Sequence, residues 1–128
     1  MSSLERILLV EDDPDIQDVA KLALEAIGGF NVQTCSSGVD ALEEGPKYDP
    51  DLILLDVMMP GLSGPETYVE LRKIETLRNI PVIFLTARAQ QADVDHYKSL
   101  GAIDVVSKPF DPMTLASTLQ TIWTDHHV

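Results

Sequence analysis

The sequence predicts an α/β fold in which an open parallel sheet carries helices on both faces. Three observations predict it: short unbroken apolar runs recur along the chain, segments of helical periodicity lie between them, and the connections are short. Strands buried on both faces read as continuous Val, Ile and Leu rather than as alternating apolar and polar residues, which is the habit of parallel sheets. Strand and helix alternate five times here, and that order leads to one doubly wound sheet covered by helices.

The first strand is "ILLV" at 7–10. A helix is predicted over 15–27, because Ile16, Val19, Ala20, Ala23, Ala26 and Ile27 fall at three- and four-residue steps before Gly28-Gly29 stops it. "NVQTC" at 31–35 is a second, more polar strand. Ser37 with Asp40 three residues on opens the second helix, and Gly45-Pro46 is expected to end it. "LILL" at 52–55 is the third strand, and Ser63 with Glu66 starts the helix through "TYVELRKI". "VIFL" at 82–85 is the fourth strand, followed by a helix over 90–100 that Gly101 closes. "VV" within "IDVVS" at 103–107 is the fifth. In "DPMTLASTLQTIW", Asp111 is a cap, Pro112 sits in the first turn, and Leu115, Leu119 and Ile122 form one stripe. "TDHHV" at 124–128 is expected to fray.

A chain of 128 residues is expected to form one domain over 1–128, with its core at about 4–124, burying roughly two-thirds of its unfolded surface. Cys35 is the only cysteine, which permits no internal disulfide and suits a reducing compartment. Nine basic residues against twenty-one acidic ones give a formal charge of −12 and argue strongly against nucleic acid as a direct partner, since that binding relies on Lys and Arg. No stretch approaches the roughly 18 apolar residues of a membrane span, and "MSSLER" lacks the apolar run of a signal peptide. The expectation is a cytoplasmic protein that engages no membrane.

The acidic triplet Glu11-Asp12-Asp13 follows directly on a buried strand, where like charges resist ionisation unless a cation or open solvent attends them. In open α/β sheets the ligand crevice lies beyond the carboxyl ends of the strands. The polar residues that follow the apolar runs there are Glu11 and Asp12, then Asp56, Thr86 and Lys108. Any one of these acids alone reads as a helix cap or a solvated loop residue. Together, the carboxylates suit a hard divalent cation such as Mg²⁺, or Mn²⁺ in its place. Lys108 and Thr86 could then hold phosphoryl oxygens while Asp56 accepts the group as an acyl phosphate. Asp13, preceding Pro14 at a helix start, reads as an N-cap.

The stretches "ILLVEDDP", "PDLILLDVMMPGLSG", "PVIFLTA" and "GAIDVVSKPFDP", in this order and spacing, resemble the receiver domain of two-component response regulators over nearly the whole chain. The resemblance implies a flavodoxin-like, CheY-like five-stranded sheet of order 2-1-3-4-5 with five helices. It implies that a sensor histidine kinase or a histidine phosphotransfer protein phosphorylates Asp56, that Glu11, Asp12, Asp56 and the backbone carbonyl of Met58 hold Mg²⁺, and that Thr86 and Lys108 contact the phosphoryl group. The module would catalyse only its own phosphorylation and dephosphorylation, and would signal to a downstream protein through the face of the fourth helix, fifth strand and fifth helix. Lys108-Pro109 is expected to be cis by the same resemblance. Receivers usually carry Tyr or Phe where this chain has Val105, so the readout through a moving ring is in doubt here.

Two rival readings are weighed against this. A haloacid-dehalogenase-like phosphohydrolase shares the carboxylates, Thr and Lys, but places its nucleophile after the first strand and needs residues for a cap. A flavodoxin-like FMN carrier must hold a phosphate in its first loop, which Glu11-Asp12-Asp13 would repel. His96, His126 and His127 lack ligand-type neighbours in sequence, Tyr97 and Trp123 read as packing or contact residues, and Pro60-Gly61 reads as a turn. No effector segment is legible in the sequence, so the chain either acts alone or is the receiver of a longer regulator.

Overall fold

The computed structural model describes residues 3–127. Five strands, β1 (Arg6–Val10), β2 (Asn31–Cys35), β3 (Leu52–Asp56), β4 (Val82–Thr86) and β5 (Asp104–Ser107), pair in the order β2-β1-β3-β4-β5, and every pairing is parallel. The helices are α1 (Pro14–Leu22), α2 (Gly38–Tyr48), α3 (Gly64–Arg72), α4 (Gln91–Leu100) and α5 (Leu115–His126). This is the predicted doubly wound sheet. Its central strands β3 and β4 are buried throughout, whereas the edge strands β2 and β5 are partly exposed.

Alternate side chains of a strand face opposite sides of the sheet, so each strand feeds two cores. Ile7, Leu9, Leu52, Leu54, Ile83 and Leu85 pack with Ala20 of α1 and with Leu115, Leu119 and Trp123 of α5. Leu8, Val10, Ile53, Leu55, Val82 and Phe84 pack on the other side with Ala41 of α2 and with Tyr68 and Leu71 of α3. Burying each Leu or Ile contributes about 1.5–3 kcal/mol, which holds the sheet rigid beneath the loops at its carboxyl edge. α4 is different: it buries no residue fully.

The caps follow the sequence closely. Ser37 Oγ accepts the Asp40 N–H at 3.1 Å, and Ser63 and Glu66 cap each other reciprocally. Gly101 ends α4 at φ 120, a backbone conformation that favours glycine.

Four expectations need correction. The first helix runs to Ile27 as expected, but it is an α-helix only to Leu22, and Ala23–Ile27 is a π turn, with Phe30 N–H closing on the Leu24 carbonyl at 3.1 Å. A wider turn rotates the residues in it off the core stripe. Ala26 and Ile27 are therefore exposed, as is Val19, and the buried stripe runs through Ala20, Ala23 and Leu24. Gly45-Pro46 does not end α2, which continues to Tyr48. Pro46 lacks only the N–H that would reach back one turn, and Asp49, at φ 57, closes the helix by donating to the Gly45 carbonyl at 3.1 Å. Gly45 is buried, and a Cβ there would press on Leu77 at 3.1 Å and reach ordinary contact with Leu8 at 3.5 Å. Asp111 caps a turn rather than the helix itself: its side chain accepts the Met113 N–H at 2.9 Å, and α5 begins at Leu115. The expected frayed tail is helical to His126, with the His127 ring stacked on Trp123 at 3.8 Å. Val128 lies outside the described residues.

Candidate functional site

Strand order decides what meets at the carboxyl edge. β1, β3, β4 and β5 lie side by side, so the residues just past each strand converge. Glu11 and Asp56 are fully buried, Thr86 is buried, and Asp12 stands beside the two acids at the solvent side. Carboxylate oxygens of Glu11, Asp12 and Asp56 lie within 4.8 Å of one another. Lys108 Nζ reaches across, 2.9 Å from Asp56 Oδ1 and 3.0 Å from Glu11 Oε1.

The main chain fixes each of these groups. Glu11 donates its N–H to the Cys35 carbonyl at 3.0 Å, and its Oε2 accepts the Asp13 N–H at 3.3 Å. Gln17 holds the same loop from α1, its Nε2 donating to the Glu11 carbonyl at 3.1 Å. Asp56 ends β3, after which Val57 donates to the Leu85 carbonyl at 3.0 Å and accepts from the Gly64 N–H at 2.8 Å. A Cβ on Gly64 would collide with the Asp56 carbonyl, so only glycine lets α3 start this close to the strand end. Thr86 Oγ1 accepts the Arg88 N–H at 3.0 Å, leaving its O–H free to donate. Lys108 donates its N–H to the Thr86 carbonyl at 2.8 Å, and the Lys108-Pro109 bond is cis.

Burial first, and the adjacent Asp56 carboxylate second, push the Glu11 carboxyl up to about 7 against the pull of Lys108. Burial works against the charged form of Lys108, yet the Asp56 and Glu11 carboxylates hold it above its ordinary value. Lys108 Nζ, 2.9 Å from Asp56 Oδ1, is the cation that faces this carboxylate, and Asp56 Oδ2 has no hydrogen-bond donor. Three carboxylates face one ammonium in a crevice where solvation is poor. An all-oxygen donor set of this kind, with more buried carboxylate oxygens than the one ammonium can serve, fits a hard divalent cation.

Asp13 is the N-cap that its sequence predicts. Asp13 Oδ1 accepts the Asp15 and Ile16 N–H groups at 2.9 and 3.3 Å and caps α1, while Glu11 and Asp12 face Asp56. Met58, in the loop after β3, is 74% exposed. Among the described residues, Glu11, Asp12 and Asp56 form the one metal-competent group of three or more, so His96, His126 and His127 belong to none. Cys35 is buried, and that burial pushes its thiol up to about 12. Trp123 is a core residue, and Tyr97 rests its ring on Phe84 at 5.1 Å, with Val105 packed against the same cluster. The sequence reading missed Gln17 and Gly64. A polar side chain one turn into an amphipathic helix, and a glycine directly after the Ser63 cap, were the available signals.

The family model of the response regulator receiver domain matches residues 7–120. A transcriptional regulatory protein, a CpxR homolog of Haemophilus influenzae, is 39% identical over 120 residues, covering 93% of this chain and 50% of that protein. The transcriptional regulatory protein CseB of Streptomyces coelicolor is 39% identical over 122 residues, covering 95% and 50%. The chain thus spans about half the length of the curated relatives it matches. The chemotaxis response regulator CheY4 of Vibrio cholerae superposes with a TM-score of 0.85 at 30% identity, covering 94% of this chain and 99% of that one. The signal receiver domain of a histidine kinase from Syntrophus aciditrophicus gives 0.79 at 33% identity, covering 94% and 91%. The match runs from the first strand into the last helix and takes in every strand end at which the acids, the threonine and the lysine gather, so the chain belongs to the receiver domains of two-component response regulators.

Proposed function

We propose that Asp56 is the phosphoacceptor of this receiver. The observation that carries the reading is a buried carboxylate at the end of the central strand, set between two further acids and faced by one lysine at 2.9 Å. An Asp56 oxygen attacks the phosphorus of a phosphohistidine, the P–N bond breaks, and the imidazole leaves with the electron pair. Mg²⁺, or Mn²⁺, held by Glu11, Asp12, Asp56 and the Met58 carbonyl, supplies charge neutralisation for the phosphoryl oxygens when bound. Lys108, released from its pairing with Asp56, follows the charge onto a phosphoryl oxygen, and the Thr86 hydroxyl donates to another.

The donor is a sensor histidine kinase or a histidine phosphotransfer protein, and the receiver turns over no substrate beyond its own acyl phosphate. Residues 4–124 act as one unit. Output passes to a downstream protein through the α4, β5 and α5 face, and the acidity of the chain argues against direct contact with nucleic acid. No helix among the described residues is long and apolar enough to cross a membrane, which suits a module working beside its kinase in the cytoplasm.

Incubation with acetyl phosphate and Mg²⁺ tests the reading. Intact-mass analysis is expected to show one acid-stable, base-labile phosphoryl group on the wild type and none on Asp56→Asn. An undiminished adduct on the variant would overturn the assignment.

A further inference from the structure

Gln17 lies one turn into α1, past the Asp13 cap, and its side-chain amide is shared between two strand ends. Nε2 donates to the Glu11 carbonyl at 3.1 Å and to the Cys35 carbonyl at 3.4 Å, and lies 3.5 Å from Ser36 Oγ. A primary amide carries two N–H bonds, so one side chain can serve both carbonyls. The Cys35 carbonyl also accepts the Glu11 N–H at 3.0 Å. The ends of β1 and β2 are thus closed into one hydrogen-bonded ring through Gln17. The anchor behind it is firm, since Asp13 caps the start of α1 and Ala20, one turn further on, is buried in the core.

The Glu11 carbonyl belongs to the peptide unit that joins Glu11 to Asp12. That unit is planar, so a hydrogen bond that fixes its carbonyl also fixes the direction in which the Asp12 Cα departs. The two acids depend on this to different degrees. Glu11 is buried, with Lys108 Nζ 3.0 Å from its Oε1 and the Asp13 N–H 3.3 Å from its Oε2, so its own side chain holds it. Asp12 is half-buried, and among the described residues its side chain has no hydrogen-bond or ion-pair partner. Its carboxylate is brought to Glu11 and Asp56 by its main chain alone.

We infer that Gln17 is a positioning residue of the cation site. By holding the peptide unit between Glu11 and Asp12 against the end of β2, it keeps the Asp12 carboxylate turned toward Glu11 and Asp56. Outer partners that orient a metal ligand are worth about 10–100-fold in metal affinity. The inference rests on the Mg²⁺ reading above and extends it to a side chain that touches neither the cation nor the phosphoryl group.

Mg²⁺ titrated into the ¹⁵N-labelled, unphosphorylated full chain tests this, with Gln17→Met and Gln17→Glu beside the wild type. Met keeps the length and apolar stem of the side chain and removes the donor. Glu keeps the shape but turns an acceptor on the two carbonyls, and it adds a negative charge near the cation that by attraction alone would tighten binding. Saturable shifts at Glu11, Asp12 and Asp56 are expected in the wild type. The dissociation constant is expected to rise about tenfold in Gln17→Met, and in Gln17→Glu not to fall below the wild-type value. Metal-free spectra in which only the amides around Glu11, Asp12, Cys35 and Ser36 have moved are expected to show that the variants keep their fold. Wild-type affinity in Gln17→Met, tighter binding in Gln17→Glu, or weaker binding that comes with shifts spread over the whole metal-free chain would each overturn the positioning role while leaving the cation reading in place. A wild type without a saturable response would overturn both.

Discussion

Lys108 Nζ lies 2.9 Å from Asp56 Oδ1 although β4 separates the strands that carry the two residues. The lysine bridges β4 because its own N–H is fastened to the Thr86 carbonyl at the end of that strand. It also touches Glu11, so a single ammonium serves two buried carboxylates.

Removing that ammonium should expose the strain of the arrangement. Lys108→Met leaves two acids buried without a cation, and breaking a fully buried pair costs about 3–5 kcal/mol. The Lys108 side chain is 19% exposed, so a loss of about 2–3 kcal/mol is expected at pH 8 in metal-free protein. At pH 5 protonation of Glu11 should relieve part of it. Urea denaturation at the two pH values checks this, and an equal loss at both would contradict it.

The raised Glu11 carboxyl has a consequence for the metal-free wild type. Its value is about 7 when folded against 4.5 for the ordinary group, so between those values the folded chain holds more proton than the unfolded one. Stability from this group is therefore full below about pH 4.5 and is lost as pH rises towards 7. Glu11→Gln, which mimics the protonated form, should flatten that part of the curve. Denaturation midpoints across pH 5–8 in chelator decide the point, and a Gln variant that keeps the wild-type slope would refute the assignment.

Asp12 and Asp13 are neighbours with separate tasks. Asp12→Asn should abolish Mg²⁺-dependent phosphorylation with little change in stability. Asp13→Ala should leave phosphorylation intact and cost about 1 kcal/mol, since it removes the acceptor for two N–H groups of α1. Phosphorylation assays and thermal melts on the same samples separate the two effects. An essential Asp13 with a dispensable Asp12 would mean that the division is wrong.

The signal is predicted to leave the site through Thr86 rather than through Val105. Thr86 Oγ1 is tied to the Arg88 N–H, so drawing the hydroxyl toward a phosphoryl oxygen pulls on 87–89 and the start of α4, a helix that buries no residue fully. One hydrogen bond to a charged group is worth about 1.5–3 kcal/mol, which bounds the population shift it can drive. With beryllofluoride as phosphoryl mimic, backbone and methyl NMR should show changes centred on 87–89 and α4, while Val105 keeps its rotamer. A large rotameric change at Val105 beside a silent loop would defeat the prediction.

The sequence by itself determined the alternation of strands and helices, the parallel sense of the sheet and the caps at Ser37, Ser63 and Gly101. Each of these rests on chemistry within a few residues: unbroken apolar runs, short polar side chains reaching the next turn, and the freedom of glycine to take positive φ. The residue types at the strand ends were legible for the same reason, because the polar residue that ends an apolar run must lie at the edge of the sheet. Tertiary structure decided the rest. Pro46 stays inside α2, and Gly45 packs rather than stops, because contact with Leu8 and Leu77 outweighs a local helix-ending preference. The tail stays helical because α5 anchors it through Trp123, which is buried in the core, and His127, one turn further on, stacks on that ring. The pairing of Lys108 with both Asp56 and Glu11, the close approach of Gly64 to Asp56 and the support of Gln17 all join residues on separate elements. No local pattern encodes them, since their geometry is set by strand order and packing, which only the folded chain brings into being.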